Sequence, residues 1–314
     1  LSNVAQHADL KNVVQLSLDE TIDTNFRVNL DYTPNDDVLV YFGVTTGYRS
    51  GGYSLGIGDS RGPGAFGGIE PLTYDQEEVM AYELGYKGLH LDGKLQLNAS
   101  LYRYDYDDYQ DRVEIYNEAS QSSQDQVRNA GSAENQGFEI EVLWYPTESL
   151  TIGGNASWTE TEYNDDIIIL EDDNPAYPDN LFFGDVSLAQ NLKGNSFKRI
   201  PETKYTLWGS YSWRFDAGSL IVGASYAYTG EYYSSGIERS LDEVPERERT
   251  DVSLTWRHSS ERWTARAFVD NVFDERYTRG IGTATASGDW MQTAEILYPR
   301  YYGLDVTYRW GEGF

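Results

Sequence analysis

With 314 residues, 24 Lys+Arg against 51 Asp+Glu and a formal charge of −27, the chain has no basic surplus for nucleic acid or an anionic leaflet, and no local basic patch stands out. The longest apolar runs, such as Ile167 to Leu170, fall far short of the ~20 residues of a membrane helix, and the absence of cysteine excludes disulfides and thiolate sites. The 26 Tyr, 8 Trp and 11 Phe are amphipathic aromatics of bilayer interfaces, whereas a mean hydropathy of −0.58 looks soluble; a transmembrane barrel reconciles the two, because only alternate strand residues meet lipid.

Residues 1–10 carry no basic flank, apolar core or cleavage site, so no leader is expected and the chain reads as mature or truncated. No Pro-rich, Ser-rich or single-letter tract divides it, and 1–314 is expected to be one domain. From about residue 24 the pattern settles into period-2 alternation. Phe26, Val28, Leu30 and Tyr32 alternate with Arg27, Asn29 and Asp31, and Val38, Val40, Phe42 and Val44 with Tyr41, Gly43 and Thr45. Leu95, Leu97, Ala99 and Leu101 repeat it, as do Phe138, Ile140, Val142 and Trp144, then Val252, Leu254 and Trp256, then Leu304, Val306, Tyr308 and Trp310. Eleven strands are predicted, at 24–33, 38–49, 76–89, 94–115, 133–145, 149–163, 200–214, 219–231, 247–257, 261–273 and 296–311.

Short connections rich in turn formers, at 34–37, 90–93, 146–148, 215–218 and 258–260, alternate with long ones at 50–75, 116–131, 164–198, 232–246 and 274–296. That asymmetry fits an outer-membrane barrel with periplasmic turns and extracellular loops; a soluble sandwich is the alternative, with shorter strands and less lopsided loops. The polar face carries Arg27, Glu83, Lys87, Glu139, Glu141, Arg257, Arg266, Asp270, Asp305 and Arg309, too many charges for a packed core, so it should line water or a plug.

GYRSGGY runs from Gly47 to Tyr53, the hairpin EEVMAYELGYKGLHLDGKLQLNASLYRYDYDDYQDR from Glu77 to Arg112, FEIEVLWYP from Phe138 to Pro146, FVDNVFDERY from Phe268 to Tyr277, and the terminal strand from Tyr301 to Trp310. In their order and spacing these segments resemble TonB-dependent outer-membrane receptors. The resemblance implies an all-β antiparallel barrel of outer-membrane type, of which this chain supplies the C-terminal part, about 11 of 22 strands. It implies a Gram-negative outer-membrane location, in contact with lipid and lipopolysaccharide, and delivery by the barrel assembly machinery. Gly303, Val306, Tyr308 and Trp310 match the C-terminal assembly signal. The family's plug and TonB box lie upstream of the matched segments, so TonB coupling would run through a region missing here. An isolated half barrel would leave two strand edges unpaired in lipid, so a fragment or one part of a larger barrel is expected.

The function so implied is active uptake of a scarce, bulky nutrient, a ferric siderophore first, with carbohydrate or cobalamin uptake, a passive porin-like channel and a surface adhesin as alternatives. Near the loop bases Arg49, Tyr53, Tyr106, Tyr109 and Tyr232 are candidate ligand contacts, and Arg49 is preferred because anionic ferric chelates need cations. The same tyrosines, with Tyr48, Tyr104 and Tyr233, equally suit an outer aromatic girdle. No catalytic residue, cofactor or metal site is expected. The acidic stretch 164–180 lacks regular ligand spacing, His7, His90 and His258 are scattered, and 62–68 lacks the Lys-Ser/Thr of a phosphate loop.

Overall fold

Alternation becomes architecture through register. In the computed structural model, which describes residues 24–54, 72–117, 122–170, 189–283 and 292–311, eleven antiparallel strands form one continuous sheet. They are β1 (Arg27–Asn35), β2 (Val38–Arg49), β3 (Glu77–His90), β4 (Leu95–Asp107), β5 (Ala133–Trp144), β6 (Leu150–Tyr163), β7 (Thr203–Phe215), β8 (Gly218–Thr229), β9 (Arg247–His258), β10 (Trp263–Asp270) and β11 (Tyr301–Tyr308). Each pairs with its neighbours in chain order, leaving β1 and β11 as the two edges.

The pairing carries the apolar positions across the sheet on a single face. Leu30 opposes Phe42, which opposes Leu84, then Leu101, Phe138 and Trp158. Farther along, Tyr211 opposes Val222, which opposes Leu254, then Ala267 and Leu304. Slipping any strand by one residue would invert its faces, so this consistency fixes the register. Phe42 and Val306 are 44% and 58% exposed, so the apolar side looks outward and covers no interior. Along β4 the apolar band runs from Leu95 to Leu101, roughly 20 Å at about 3.3 Å per residue.

Aromatic residues mark both margins of that band. At the short-turn end lie Trp144, Trp213, Trp263, Tyr308 and Trp310, with the Trp263 and Tyr308 rings 4.6 Å apart. At the loop end lie Phe138, Trp158, Tyr205 and Tyr228. Beyond this margin the outward face turns charged: Arg103 binds Asp105 and Glu134, both at 2.8 Å, and Gln136 donates to Glu160 at 2.8 Å. The interface belt therefore stops where the strands leave the bilayer.

The inner face is polar, and its aromatics lie flat against glycines on the facing strand. Tyr41 pairs with Gly85, Tyr102 with Gly137, Trp208 with Gly153 and Phe268 with Gly303. A β-carbon at Gly153 would sit 2.3 Å from the Trp208 ring, and one at Gly303 would sit 2.6 Å from Phe268. Cations cover two of these rings: Lys87 Nζ stands 5.7 Å from the Tyr41 centroid, and the Arg266 guanidinium 4.7 Å from that of Phe268.

Among the strand boundaries that differ from the sequence expectation, four have a local cause. The strand expected at 94–115 is broken after Asp107, because Asp108 adopts a left-handed φ of 52°. The strand expected at 261–273 ends at Asp270, before Asn271 at φ 53°. That expected at 200–214 begins after Pro201, and that expected at 296–311 begins after Pro299, neither proline having an N–H for the ladder. The long connections are also more than irregular loop: each carries a two-stranded ribbon, at Gly52–Ser54 with Leu72–Tyr74, Gln110–Asn117 with Ser122–Asn129, Ile168–Leu170 with Ala189–Asn191, Tyr232–Tyr233 with Glu243–Val244, and Thr278–Thr283 with Gln292–Ile296. Residues 62–68, and the part of the acidic stretch from 171 to 180, lie outside the described residues.

Candidate functional site

Two surfaces are candidates for function, the outer rim built by the loops and the polar inner wall. The rim is sewn together laterally. Gln110 in loop 2 (108–132) donates from Nε2 to the Arg49, Ser50 and Asp75 carbonyls at 3.2, 3.1 and 2.9 Å, while its N–H donates to Glu77 at 2.6 Å. Asn129 bridges the same two loops through the N–H and the carbonyl of Asp75. Ser132 donates from N–H and Oγ to Asp165 in loop 3 (164–202) at 2.7 and 2.8 Å. These two bonds hold the Asp165 carboxyl below its ordinary range.

Loop 3 continues the seam into loop 4 (230–246). Asn195 donates to the Gly236 carbonyl at 2.8 Å, Ser196 donates twice to Glu238, and the Arg199 N–H donates to the Tyr233 carbonyl at 2.7 Å. Loop 4 in turn meets loop 5 (271–300), where the Tyr232 hydroxyl donates to the Arg279 carbonyl and Gln292 donates to the Leu241 carbonyl at 2.9 Å. The FVDNVFDERY segment forms the base of loop 5. Asn271 is buried at its left-handed corner, donates its N–H to Asp251 and its side-chain amide to the Glu275 carbonyl, both at 2.8 Å, and accepts from Glu275 N–H.

Under loops 2 to 4 sits an apolar cluster of Ala130, Ala133, Tyr163, Leu192 and Phe197, flanked by Tyr106, Tyr109, Ile167, Ile200 and Ile237. Tyr109 stacks on Phe197 with centroids 4.7 Å apart and planes 13° apart. Burial pushes the Tyr109 phenol above its usual range, Asp111 and Glu77 adding to the shift and Arg49 opposing it. Asp111 accepts from Tyr163 at 2.8 Å and binds Lys198 at 2.9 Å.

The five expected contact residues therefore have different settings. Arg49 is exposed on the inner face at the top of β2. Tyr106 and Tyr109 are half-buried in the inter-loop cluster, Tyr53 lies in the first loop ribbon opposite Thr73, and Tyr232 is tied to loop 5. Register places Tyr104 and Tyr106 on the inner face, away from the outward girdle, whose loop-side members are Phe138, Trp158, Tyr205 and Tyr228. Of the terminal pattern, Val306, Tyr308 and Trp310 are exposed, and Val306 and Tyr308 share the outward face, whereas Gly303 receives the Phe268 ring on the inner one. Sequence reasoning missed the Gln110, Asn129 and Asp111 tethers, since isolated polar residues in loops carry no periodic signal.

The inner wall holds a trough of about 620 Å³, lined by Lys87, Asn98, Glu139, Glu141, Asn155 and Lys204 among others. Asn98 donates to Glu141 at 3.0 Å, and Arg249 binds Asp251 at 2.8 Å. Both signs of charge thus line a wet surface that can bind polar groups. Among the described residues no group of three or more His, Cys, Asp or Glu is arranged to hold a metal ion.

The chain matches the model of the family described as "TonB dependent receptor-like, beta-barrel" over residues 8–272. It is 25% identical over 282 residues to the pesticin receptor of Yersinia pestis, covering 89% of this chain and 35% of that protein. It is 27% identical over 221 residues to the ferric-pyoverdine M114 receptor PbuA of Pseudomonas sp. (strain M114), covering 70% of this chain and 24% of the relative. Its fold resembles the crystal structure of the ferric yersiniabactin uptake receptor FyuA from Yersinia pestis, with a TM-score of 0.66 at 20% identity, over 90% of this chain and 36% of that one. The chain thus spans about a third or less of the length of these relatives. With the outward apolar band and the family match together, the chain belongs to the TonB-dependent receptor β-barrels of the Gram-negative outer membrane.

Proposed function

We propose that the protein containing this chain is a receptor for active uptake of a ferric siderophore, or a similarly bulky iron chelate, with passage powered through TonB. The observation that carries this reading is that matched relatives from separate genera are named for ferric siderophores, pyoverdine in one case and yersiniabactin in the other. A charged inner wall beneath a sewn rim supports capture and passage without bond chemistry, so no catalytic role is assigned. Coupling to TonB belongs to a region outside this chain.

Within the rim, Arg49 is the cation we assign to an anionic chelate, being exposed at the inner mouth. Tyr53 follows four residues later, on the first loop ribbon opposite Thr73. Tyr106, Tyr109 and Tyr232 act by holding the vestibule's shape, since their rings or hydroxyls are engaged between loops. Gly303, Val306, Tyr308 and Trp310 on the edge strand serve as the recognition pattern for barrel assembly.

The test is uptake of radioactive iron by a deletion strain under iron limitation, supplied with a panel of ferric chelates. Loss of uptake of one chelate, restored by the intact gene and weakened about tenfold or more in affinity by Arg49→Ala, is expected. Normal growth and uptake on every chelate, or a defect confined to a carbohydrate or cobalamin, would remove the siderophore reading.

A further inference from the structure

Strand register brings two cations together at the loop end of the inner wall. Lys204 on β7 and Arg247 on β9 both oppose Thr229 on β8, so they flank one strand, roughly 10 Å apart at the backbone. Small residues floor the gap: Thr229, Ala227 and Thr206, with Lys204, belong to the lining of the 620 Å³ trough. The result is a narrow notch with a cation on each side and hydroxyls beneath.

The notch has no anion of its own. Among the described residues neither Lys204 nor Arg247 makes an ion pair, and Nη1 of Arg247 is buried without a hydrogen-bond partner, a state that calls for an acceptor. Nearby carboxylates are engaged or turned away. Asp251 and Asp270 pair with Arg249, at 2.8 and 3.7 Å. Glu246 accepts from Tyr228 at 2.6 Å on the outward face. Glu202, two residues before Lys204, is exposed and makes no ion pair with it, and Glu139 lies two strands off, beyond Ser157. In a chain with 51 acidic residues to 24 basic ones, two facing cations without a carboxylate mark a place for an anion from outside.

Shape decides which anion. A gap of one strand between two long side chains is too narrow for an iron centre wrapped in three bidentate arms, but it admits a single planar acid group. A guanidinium fork and an ammonium over hydroxyls match a carboxylate in geometry and charge. Arg49 stands on β2, five strands from Lys204, roughly 24 Å around the wall at about 4.8 Å per strand. The two basic places therefore meet different parts of a bulky cargo.

We propose that Lys204 and Arg247 form a carboxylate subsite in the vestibule, which selects ferric chelates that keep an acid group free of the metal and discriminates against neutral complexes. This rests on the uptake reading above and adds the chemical class of the cargo.

The charge of the notch is tested first, in the folded full-length protein with any thiol elsewhere replaced, since this chain has no cysteine. Thr229→Cys puts a thiol on the floor, and Ala227→Cys serves where that variant fails to fold. A sulfonate-bearing thiosulfonate should react at least tenfold faster than an ammonium-bearing one, each rate normalised to a small thiol in solution. Adding Lys204→Gln and Arg247→Gln should abolish the preference. Equal normalised rates before that addition would overturn the subsite.

The occupant is tested by equilibrium binding of paired ferric complexes built on hydroxamate, catecholate and hydroxycarboxylate cores, each with a pendant carboxylate either free or capped as its methyl amide. For the core that binds, capping should weaken affinity about tenfold in the unsubstituted protein and less than twofold in the Lys204→Gln, Arg247→Gln double variant. Arg49→Ala should weaken both members of the pair and keep their ratio. Equal affinity for acid and amide in the unsubstituted protein would overturn the proposal and leave the uptake reading standing. Binding of no complex on any core would instead remove the uptake reading, and with it the occupant assigned to the notch.

Discussion

Tyr163 donates its phenolic proton to Asp111 at 2.8 Å, joining the upper end of β6 to loop 2 beneath the aromatic cluster. The other carboxylate oxygen of Asp111 holds Lys198, so one buried side chain ties loops 2 and 3 to the wall. Asp111→Ala leaves the buried Tyr163 hydroxyl without its acceptor and the Lys198 ammonium with the Arg112 carbonyl, at 2.6 Å, as its remaining acceptor, at a cost of about 1–3 kcal/mol. Asp111→Asn, which keeps an acceptor for the phenol, should cost less. Amide hydrogen exchange around Tyr109 and Tyr163 is the readout, and unchanged protection in Asp111→Ala would exclude the tether.

Acid should unlatch the seam at Asp165. Its carboxyl titrates below the ordinary value of 3.8 because the Ser132 N–H and hydroxyl favour the charged form. A depressed folded-state value means that the stabilisation is fully present above the unfolded-state value, and is lost as pH falls through the folded one. Protection of the Ser132 amide should therefore stay constant from neutrality down to about pH 4 and decline below it. Asp165→Asn should remove that pH dependence; an identical acid profile in the variant would assign the titration elsewhere.

Glycine is required at Gly137 for a reason that differs from turn geometry. A β-carbon there would meet the Trp158 carbonyl oxygen at 2.2 Å and the Tyr102 hydroxyl at 2.6 Å, and backbone cannot step aside as a side-chain tip can. Gly137→Ala should destabilise the folded barrel by about 1–3 kcal/mol. Gly280→Ala, where nothing lies within 4 Å, should be neutral or slightly stabilising. Urea unfolding followed by gel mobility separates the two, and equal midpoints would contradict this packing.

The wall was legible in the sequence because period-2 alternation is a local signal: β2 spans the 38–49 expected for it, and Phe42, Leu97, Val142 and Val306 fall on one face as read. Strand ends were less legible, since they depend on single left-handed residues such as Asp108 and Asn271. The rim was hardest to foresee. Gln110 and Asn129 become tethers only when the barrel brings the 50–76 connection and loop 2 side by side, and the cluster around Phe197 draws on residues from 106 to 237.

Site-directed spin labels read the orientation of the wall most directly. Labels at Phe42, Leu97, Val142 and Val306, in the full-length protein reconstituted in bilayers, should collide readily with molecular oxygen and poorly with a water-soluble nickel chelate, while labels at Gly43, Asn98, Glu141 and Asp305 show lower oxygen access. The reverse pattern, or apolar positions shielded from both reagents as in a packed globule, would contradict a wall whose apolar face meets lipid.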